Sequence, residues 1–301
     1  MTGLRRRPES ISVILPAFNG ARNLPSQLRA LAGQTYSGSW EAIVVDNGSR
    51  DGSLDVARRW SGMFPSLTVA TAVEGRGASY ARNVGARMAG GSLLAFCDQD
   101  DVVMPGWLSA LAEAAVGADL VGGAIELKDL NDPLVLSWYP SAWTADWEAG
   151  TRPPETMGYL PFVFACNAAV WSDVFAELGG FDERFVGGGE DVVFSWKAQL
   201  AGYRLGWVPG ALVRKRLRSS IGSVARQLYG YGRGAAGTYR EFRDRGVPKP
   251  PLAGGLRAWG WLFLHLPDLV RSRKLRGSWA GLAAFRAGMA AGSIRSRVLY
   301  L

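Results

Sequence analysis

Asp98, Asp100 and Asp101 put three acids within four positions, directly after the short apolar run Leu93-Leu94-Ala95-Phe96-Cys97. Carboxylates this close repel one another unless a cation neutralises them, and hard oxygen donors at such spacing suit Mg²⁺ or Mn²⁺ carrying a phosphorylated substrate. The plain alternative for an isolated pattern of this kind is a solvated acidic turn. Two further acidic positions argue against isolation. Asp46 ends the apolar stretch from Trp40 to Val45, and Glu190-Asp191 follow Gly187-Gly188-Gly189, where the missing side chains let backbone approach a ligand closely.

These acids need elements to position them. Leu93 to Cys97 is too short for an ordinary helix and reads as a buried strand, so its acids stand at a strand's carboxyl end, where open α/β sheets bind ligands. Ile11 to Leu15 forms a strand closed by Pro16, Trp40 to Val45 a second, Leu67 to Ala70 a third, Leu120 to Ile125 a further one, and Arg204 to Val208 the last. Between them lie helices: one with Leu24, Leu28 and Leu31 on its apolar face and Gln27 off it, one from the Asn47–Ser53 turn to about Met63, one over Ser79–Met88, and one over Pro105–Val116 with proline in its first turn. The alternation predicts an α/β fold with a doubly wound, mostly parallel sheet whose strand ends share one crevice. Glu126 to Pro161 has no clear period and carries Trp138, Tyr139, Trp143 and Trp147; such aromatics either stack on sugar rings or pack the loop onto the sheet. Ser172 begins a helix to Leu178, and Asp191 opens another that Gly202 ends.

The order of the motifs resembles the inverting nucleotide-sugar glycosyltransferases of family 2, which have the GT-A fold. The carriers are Val13-Ile14-Leu15-Pro16-Ala17-Phe18-Asn19, Val45-Asp46-Asn47-Gly48-Ser49, Ala81-Arg82-Asn83-Val84-Gly85, Asp98-Gln99-Asp100-Asp101, Gly179-Gly180-Phe181-Asp182 and Glu190-Asp191. The resemblance runs from about Ile11 to Ser220. It implies a catalytic domain over residues 1–218, with a nucleotide-binding part over about 11–125 and an acceptor part over about 126–218. It further implies that Pro16, Ala17, Phe18, Asn19 and Asp46 hold the nucleotide base, that Arg82 lies near base or diphosphate, Asp98 near the ribose, Asp100 on the divalent cation, and Asp191 beside the acceptor hydroxyl. Glu190, Asn167 and Trp138 are expected on the acceptor side. Transfer with inversion needs a base on the face opposite the leaving nucleoside diphosphate and a cation to absorb its charge, and Asp191 and the Asp98–Asp101 cluster can supply these from opposite walls. Asp191 has the alternative role of helix cap.

The chain departs from the family in one respect. Many members carry a histidine soon after the last strand, on the loop that closes over the diphosphate. Here that place holds Arg214-Lys215-Arg216, and the single histidine, His265, lies in an apolar helix where a structural role is expected. Lys215 cannot ligate a metal while protonated, but its ammonium can pair with a diphosphate; a solvated basic surface is the alternative.

Charge is unevenly divided. Residues 213–301 hold 18 of the 34 Lys+Arg and only 3 of the 26 Asp+Glu, so a basic helical extension over 219–301 joins an acidic catalytic part. Helices are expected near Val224–Phe242, Leu256–Leu269 and Trp279–Arg297. The middle one sets Trp259, Trp261 and Phe263 beside Arg271, Arg273, Lys274 and Arg276, as an interfacial helix would; a cap over the acceptor cleft or a dimer interface would use the same residues. No nucleic-acid motif organises the basic residues. Two isolated cysteines, no secretory pattern and no uninterrupted apolar span suggest a cytoplasmic protein that can rest on the inner face of a membrane. The expected partners are a nucleoside-diphosphate sugar and a glycan, lipid-linked or small-molecule acceptor. A catalytically silent module binding nucleotide sugars or glycans is the competing reading.

Overall fold

The computed structural model describes residues 4–141, 143, 144 and 150–300. The expected alternation is present: β1 (Ser10–Ala17), α1 (Leu24–Ala32), β2 (Ser39–Asp46), α2 (Ser53–Arg58), β3 (Leu67–Thr71), α3 (Ala78–Met88), β4 (Leu93–Cys97), β5 (Val102–Val103), α4 (Trp107–Ala114) and β6 (Leu120–Glu126). There follow α5 (Pro133–Leu136), β7 (Asn167–Trp171), α6 (Ser172–Glu177), α7 (Glu190–Leu200), β8 (Leu205–Arg214), α8 (Ile221–Phe242), α9 (Leu252–Leu264), α10 (Asp268–Arg271) and α11 (Arg273–Ser296). The eight strands form one sheet in the order β3-β2-β1-β4-β7-β6-β8-β5. β1 to β4 and the β6/β8 pair are parallel, whereas β7 runs antiparallel to both β4 and β6, and β5 antiparallel to β8.

Register sets the site. Ala17 pairs with Asp46, so the first two strands end level. Cys97, the last residue of β4, pairs with Asn167, the first of β7, which brings Asp98 against Cys166. Val102 pairs with Arg214 and Val103 with Val213, which sets Asp101 beside Lys215. β4 is apolar on both faces, and β1 is so from Val13 onward, as expected of inner strands of a parallel sheet covered on both sides.

Several boundaries differ from expectation for local reasons. The helix after β2 stops at Arg58, ahead of Gly62 and Pro65, and only a single 3₁₀ turn reaches Met63. α4 begins at Trp107 because Gly106 adopts φ 94°, leaving Pro105 outside the helix. β8 continues past Val208 to Arg214, with a register irregularity opposite Gly123 and Ile125. α9 stops at Leu264, and Pro267 starts the separate turn α10.

The basic extension is not a loose appendage. A second core cluster joins Ile125, Leu127, Trp138 and Tyr139 to Leu217 and to Val224 and Leu228 of α8. α8 and α11 run parallel: Gly281 lies against Val224 and Leu228, Gly288 against Tyr229, and Gly292 against Arg233 and Ala236. Glycine is required at these contacts, since a Cβ on Gly232 would meet the Phe285 carbonyl and one on Gly288 the Tyr229 carbonyl.

Candidate active site

The crevice is built at the carboxyl ends of β1, β2 and β4. Asp46 is buried; its Oδ2 accepts from the backbone N–H of Gly48 at 3.2 Å and of Ser49 at 3.0 Å, while Oδ1 is buried without a partner. Pro16 and Ala17 are the last, buried residues of β1, and Phe18 and Asn19 stand exposed beyond them. Asn19 adopts φ 47° and is fixed by Ser49 and Arg50: its N–H donates to Ser49 Oγ at 2.9 Å, and its Oδ1 accepts from Arg50 N at 2.9 Å.

Two glutamines hold this loop to the acids. Gln99 Oε1 accepts from Phe18 N at 3.0 Å, and its Nε2 donates to Phe18 O at 2.8 Å. Gln27 is fully buried, donating to the Asp98 carbonyl at 3.0 Å and accepting from Val103 N at 3.0 Å. The sequence reading placed Gln27 off the apolar face of α1. It lies on that face, and Leu24, Gln27, Leu28 and Leu31 are all buried at the i, i+3, i+4, i+7 spacing that carried the signal.

Arg82 spans the crevice. Its Nη2 lies 2.6 Å from Asp98 Oδ1 and its Nη1 3.2 Å from Glu190 Oε1, with the guanidinium over the Phe181 ring. The neighbouring Asn83 donates to the Phe181 carbonyl at 2.8 Å and accepts from Phe181 N at 2.9 Å, so α3 fastens the Gly179–Phe181 loop as well. Although burial disfavours the Arg82 charge, Asp98 and Glu190 hold its proton affinity above the ordinary value.

Across the acids stands the basic segment after β8. Lys215 Nζ is 3.2 Å from Asp101 Oδ2 and 3.6 Å from Asp98 Oδ2. Burial alone would lower the Lys215 ammonium, but the facing Asp101, Cys166 and Asp98 more than offset it and hold it well above the usual lysine value. Asp101 is pushed up to about 7, first by burial and then by Asp100 and Asp98, against the pull of Lys215. Arg216 N donates to Asp101 Oδ1 at 2.8 Å, Arg216 Nε to the Asp100 carbonyl at 3.1 Å, and Arg218 Nη1 to Asp100 Oδ2 at 2.9 Å. One ligand atom each from Asp98, Asp101 and Cys166 lies within 4.8 Å of the others. Burial pushes the Cys166 thiol well up, so it stays protonated and is a poor ligand for a hard cation. The three carboxylates of the turn are the donors that suit Mg²⁺ or Mn²⁺, which bind through one or two such groups plus phosphate oxygens.

The opposite wall is the start of α7. Gly187, Gly188 and Gly189 all have positive φ (95°, 136° and 98°), and the helix opens at Glu190 rather than Asp191. Glu190 Oε2 is buried without a partner, and the group is pushed up to about 7 by burial and by Asp191, against Arg82. Asp191 Oδ1 accepts from Val192 N at 2.9 Å, and burial raises its proton affinity too.

Two residues expected on the acceptor side are part of the core. Asn167 is fully buried, donating to the carbonyls of Ala124 and Ala211 at 2.8 Å and accepting from Trp107 Nε1 at 2.8 Å, so it ties three elements together beneath the crevice. Trp138 is 1 % exposed, packed under Gly277 with Arg273 over its ring, so the loop aromatic serves to seat α11. Trp143 likewise packs on Phe285, and Trp147 lies outside the described residues. His265 stacks on Trp261 at the end of α9, in keeping with a structural role.

The model of the family described as Glycosyl transferase family 2 matches residues 12–179, more than half of the chain. The chain belongs to this family. It is 32% identical over 232 residues to the glycosyltransferase AglE of Haloferax volcanii, covering 71% of this chain and 73% of that protein. It is 29% identical over 258 residues to the pre-mycofactocin glycosyltransferase of Mycobacterium tuberculosis, and 29% over 228 residues to the validoxylamine A glucosyltransferase of Streptomyces hygroscopicus subsp. jinggangensis. These two matches cover 83% and 67% of this chain but only 52% and 54% of those proteins, so the chain spans about half their length. Among solved structures, the Pyrobaculum calidifontis mannosyltransferase PcManGT in complex with GDP-Man and Mn²⁺ aligns with TM-score 0.60 at 23% identity, over 97% of this chain and 78% of that one. Staphylococcus aureus TarS 1–349 aligns with TM-score 0.54 at 16% identity, over 97% and 93%. The family-2 chain thus has the GT-A architecture, with a helical C-terminal region.

Proposed function

We propose that this family-2 glycosyltransferase moves a sugar from a nucleoside-diphosphate sugar to an acceptor hydroxyl with inversion, using Asp191 as base. The observation that carries the reading is Arg82, which joins Asp98 on the donor wall to Glu190 on the acceptor wall and so holds two acid groups with different tasks across one side chain. On the donor side, Asp46, whose buried Oδ1 has no partner within the protein, is the group for an N–H of the nucleotide base, beside Phe18 and the turn at Gly48. Asp98 faces the ribose, and Lys215 and Arg218 lie where positive charge can meet the diphosphate. Asp100 and Asp98 are the residues that would hold Mg²⁺ or Mn²⁺, which when bound would supply Lewis-acid neutralisation of the leaving group. On the acceptor side, Asp191 takes the hydroxyl proton as the oxygen attacks the anomeric carbon from the face opposite the diphosphate. The bond from that carbon to the diphosphate oxygen breaks, and its electron pair departs with the phosphate.

Two neighbours of the same fold bind GDP-Man with Mn²⁺ and UDP-GlcNAc, which makes these the first donors to try. The reading is tested by incubating the chain with a panel of nucleotide sugars and simple acceptors and recording the anomeric configuration of the product by NMR. Inverted product supports it; retained configuration, or a panel in which no donor binds or reacts, overturns it.

The basic extension supports peripheral contact with an anionic membrane as a second part of the proposal. Among the described residues no helix is long and apolar enough to cross a membrane. In and after α9, however, Leu256, Phe263, Leu264 and Val270 are each more than two-thirds exposed, beside Arg271, Arg273, Lys274 and Arg276. Apolar area and attraction to anionic lipid add in such an arrangement. Salt-sensitive sedimentation with anionic vesicles, absent with neutral ones, is the expected result; indifference to vesicle charge at low salt would remove this part.

A further inference from the structure

Behind the glycine loop lies a second concavity that the donor crevice does not use. A cavity of about 360 Å³ opens between residues 184–188, the second half of α8 and the end of α11, and its lining includes Arg184, Arg233, Arg240 and Arg295, with Glu241 the only acid there among the described residues. Arg184 is already matched, lying 2.6 Å from Asp182 and 3.3 Å from Glu241. Arg233 donates through Nη2 to the Val186 carbonyl at 2.8 Å, which anchors the side chain at the rim but leaves its charge uncompensated. Among the described residues Arg240 and Arg295 have no acidic partner. Arg233 and Arg240 are seven residues apart on α8, hence on one face of the helix two turns apart. Three arginines without an acidic partner among the described residues therefore line one concave site from two helices.

Gly188, Gly234, Gly237 and Gly292 share the lining with Phe185, Val186 and Ser296, and the close contact of Gly234 with the Gly188 carbonyl, which a Cβ would prevent, holds the loop against α8 at the edge of the cavity. Like charges gathered around one cavity repel unless an anion lies between them, and guanidiniums recognise phosphate through paired N–H donors. We propose that this cavity binds the phosphate or diphosphate of a phosphorylated acceptor. Gly188 precedes Asp191 by three residues, a chain length of at most about 11 Å, so the rim of the cavity adjoins the segment that carries the proposed base. The word acceptor rests on the transferase reading above; the anion site does not.

The test uses the full chain with its donor crevice saturated by nucleoside diphosphate, titrated calorimetrically with inorganic pyrophosphate in the presence of a chelator. A second anion site is expected, weakened about tenfold or more in Arg240→Gln/Arg295→Gln, with a thermal melt reporting whether that variant is folded. Arg233→Gln provides a second variant should the first fail to fold. A water-soluble glycosyl phosphate and a polyprenyl phosphate in detergent micelles are then tried as competitors: displacement by the first alone assigns a soluble acceptor, and displacement by the second a lipid-linked one. Absence of pyrophosphate binding up to millimolar concentration, or equal binding by the folded variants, overturns the site. If pyrophosphate binds as expected but no nucleotide sugar does, the anion site stands and the transferase reading falls. If transfer to uncharged acceptors is as efficient as to phosphorylated ones, the acceptor assignment is overturned.

Discussion

Lys215 Nζ stands 3.2 Å from Asp101 Oδ2, inside a group of acids that would otherwise repel one another. The ammonium takes a position that a metal ion would also favour, and Arg218 on Asp100 adds a second fixed positive charge at 2.9 Å. On the proposed reading, part of the charge on the donor diphosphate would be neutralised by the chain itself. Chelation is accordingly expected to reduce turnover without abolishing it. Lys215→Ala should bind Mn²⁺ about tenfold or more tightly, because a competing charge is gone, and its activity should depend far more on added metal. Mn²⁺ titration followed by electron paramagnetic resonance gives the affinity separately from activity. Unchanged affinity and an unchanged metal response would return Lys215 to a purely structural ion pair.

Asp191→Asn should retain donor binding and lose turnover by about 10²–10⁴-fold, the usual worth of a positioned general base. Donor binding is measured by thermal shift and turnover by release of nucleoside diphosphate. Retention of more than about a tenth of the turnover would move the base elsewhere, and the open Oε2 of Glu190 is the nearest alternative.

The two carboxylates raised to about 7 give the pH dependence a sign. Glu190 sits at about 7 in the folded chain against an ordinary value near 4.5, so between those values the folded state binds the extra proton. Stability is then fully present below about pH 4.5 as far as this group is concerned, and is lost as pH rises through about 7. Thermal midpoints should fall between pH 5.5 and 8, with Glu190→Gln flattening that fall while Asp101, also near 7, keeps part of it. A slope identical in Glu190→Gln would show that Glu190 ionises normally.

Gly234→Ala tests whether the glycine contact positions the catalytic wall. The added methyl meets the Gly188 carbonyl, and overpacking of this kind costs about 1–3 kcal/mol. Loss of stability in that range together with loss of turnover, at normal affinity for nucleoside diphosphate, is the expected pattern. Normal turnover in a destabilised variant would separate the loop's position from the chemistry.

The positions of the acids at the strand ends were legible because their signals are local. Ala17, Asp46 and Asp98 each end or directly follow a buried apolar run, and a strand's carboxyl end is fixed by the run itself. Residues whose role depends on long-range pairing were harder. Asn167 was expected on the acceptor side, but its three side-chain bonds reach Trp107, Ala124 and Ala211, none visible from its neighbours in sequence. Trp138 is buried only because Gly277, well over a hundred residues later, leaves room for it. Lys215 was found through its spacing from β8, yet its partner Asp101 required the β5/β8 register.

The parallel course of α8 and α11 has a consequence for the segment between them. Two parallel neighbours cannot be joined by a tight turn, so the chain must travel back along the pair before α11 can start, and residues 243–272 make that return. The inner faces of the two helices are occupied by their own glycine contacts, which leaves the return path only the outside of the molecule. Leu256, Trp259, Trp261 and Phe263 are thus carried outward by the chain's own routing. Shortening the return would pull α11 out of register with α8 before it removed any apolar surface.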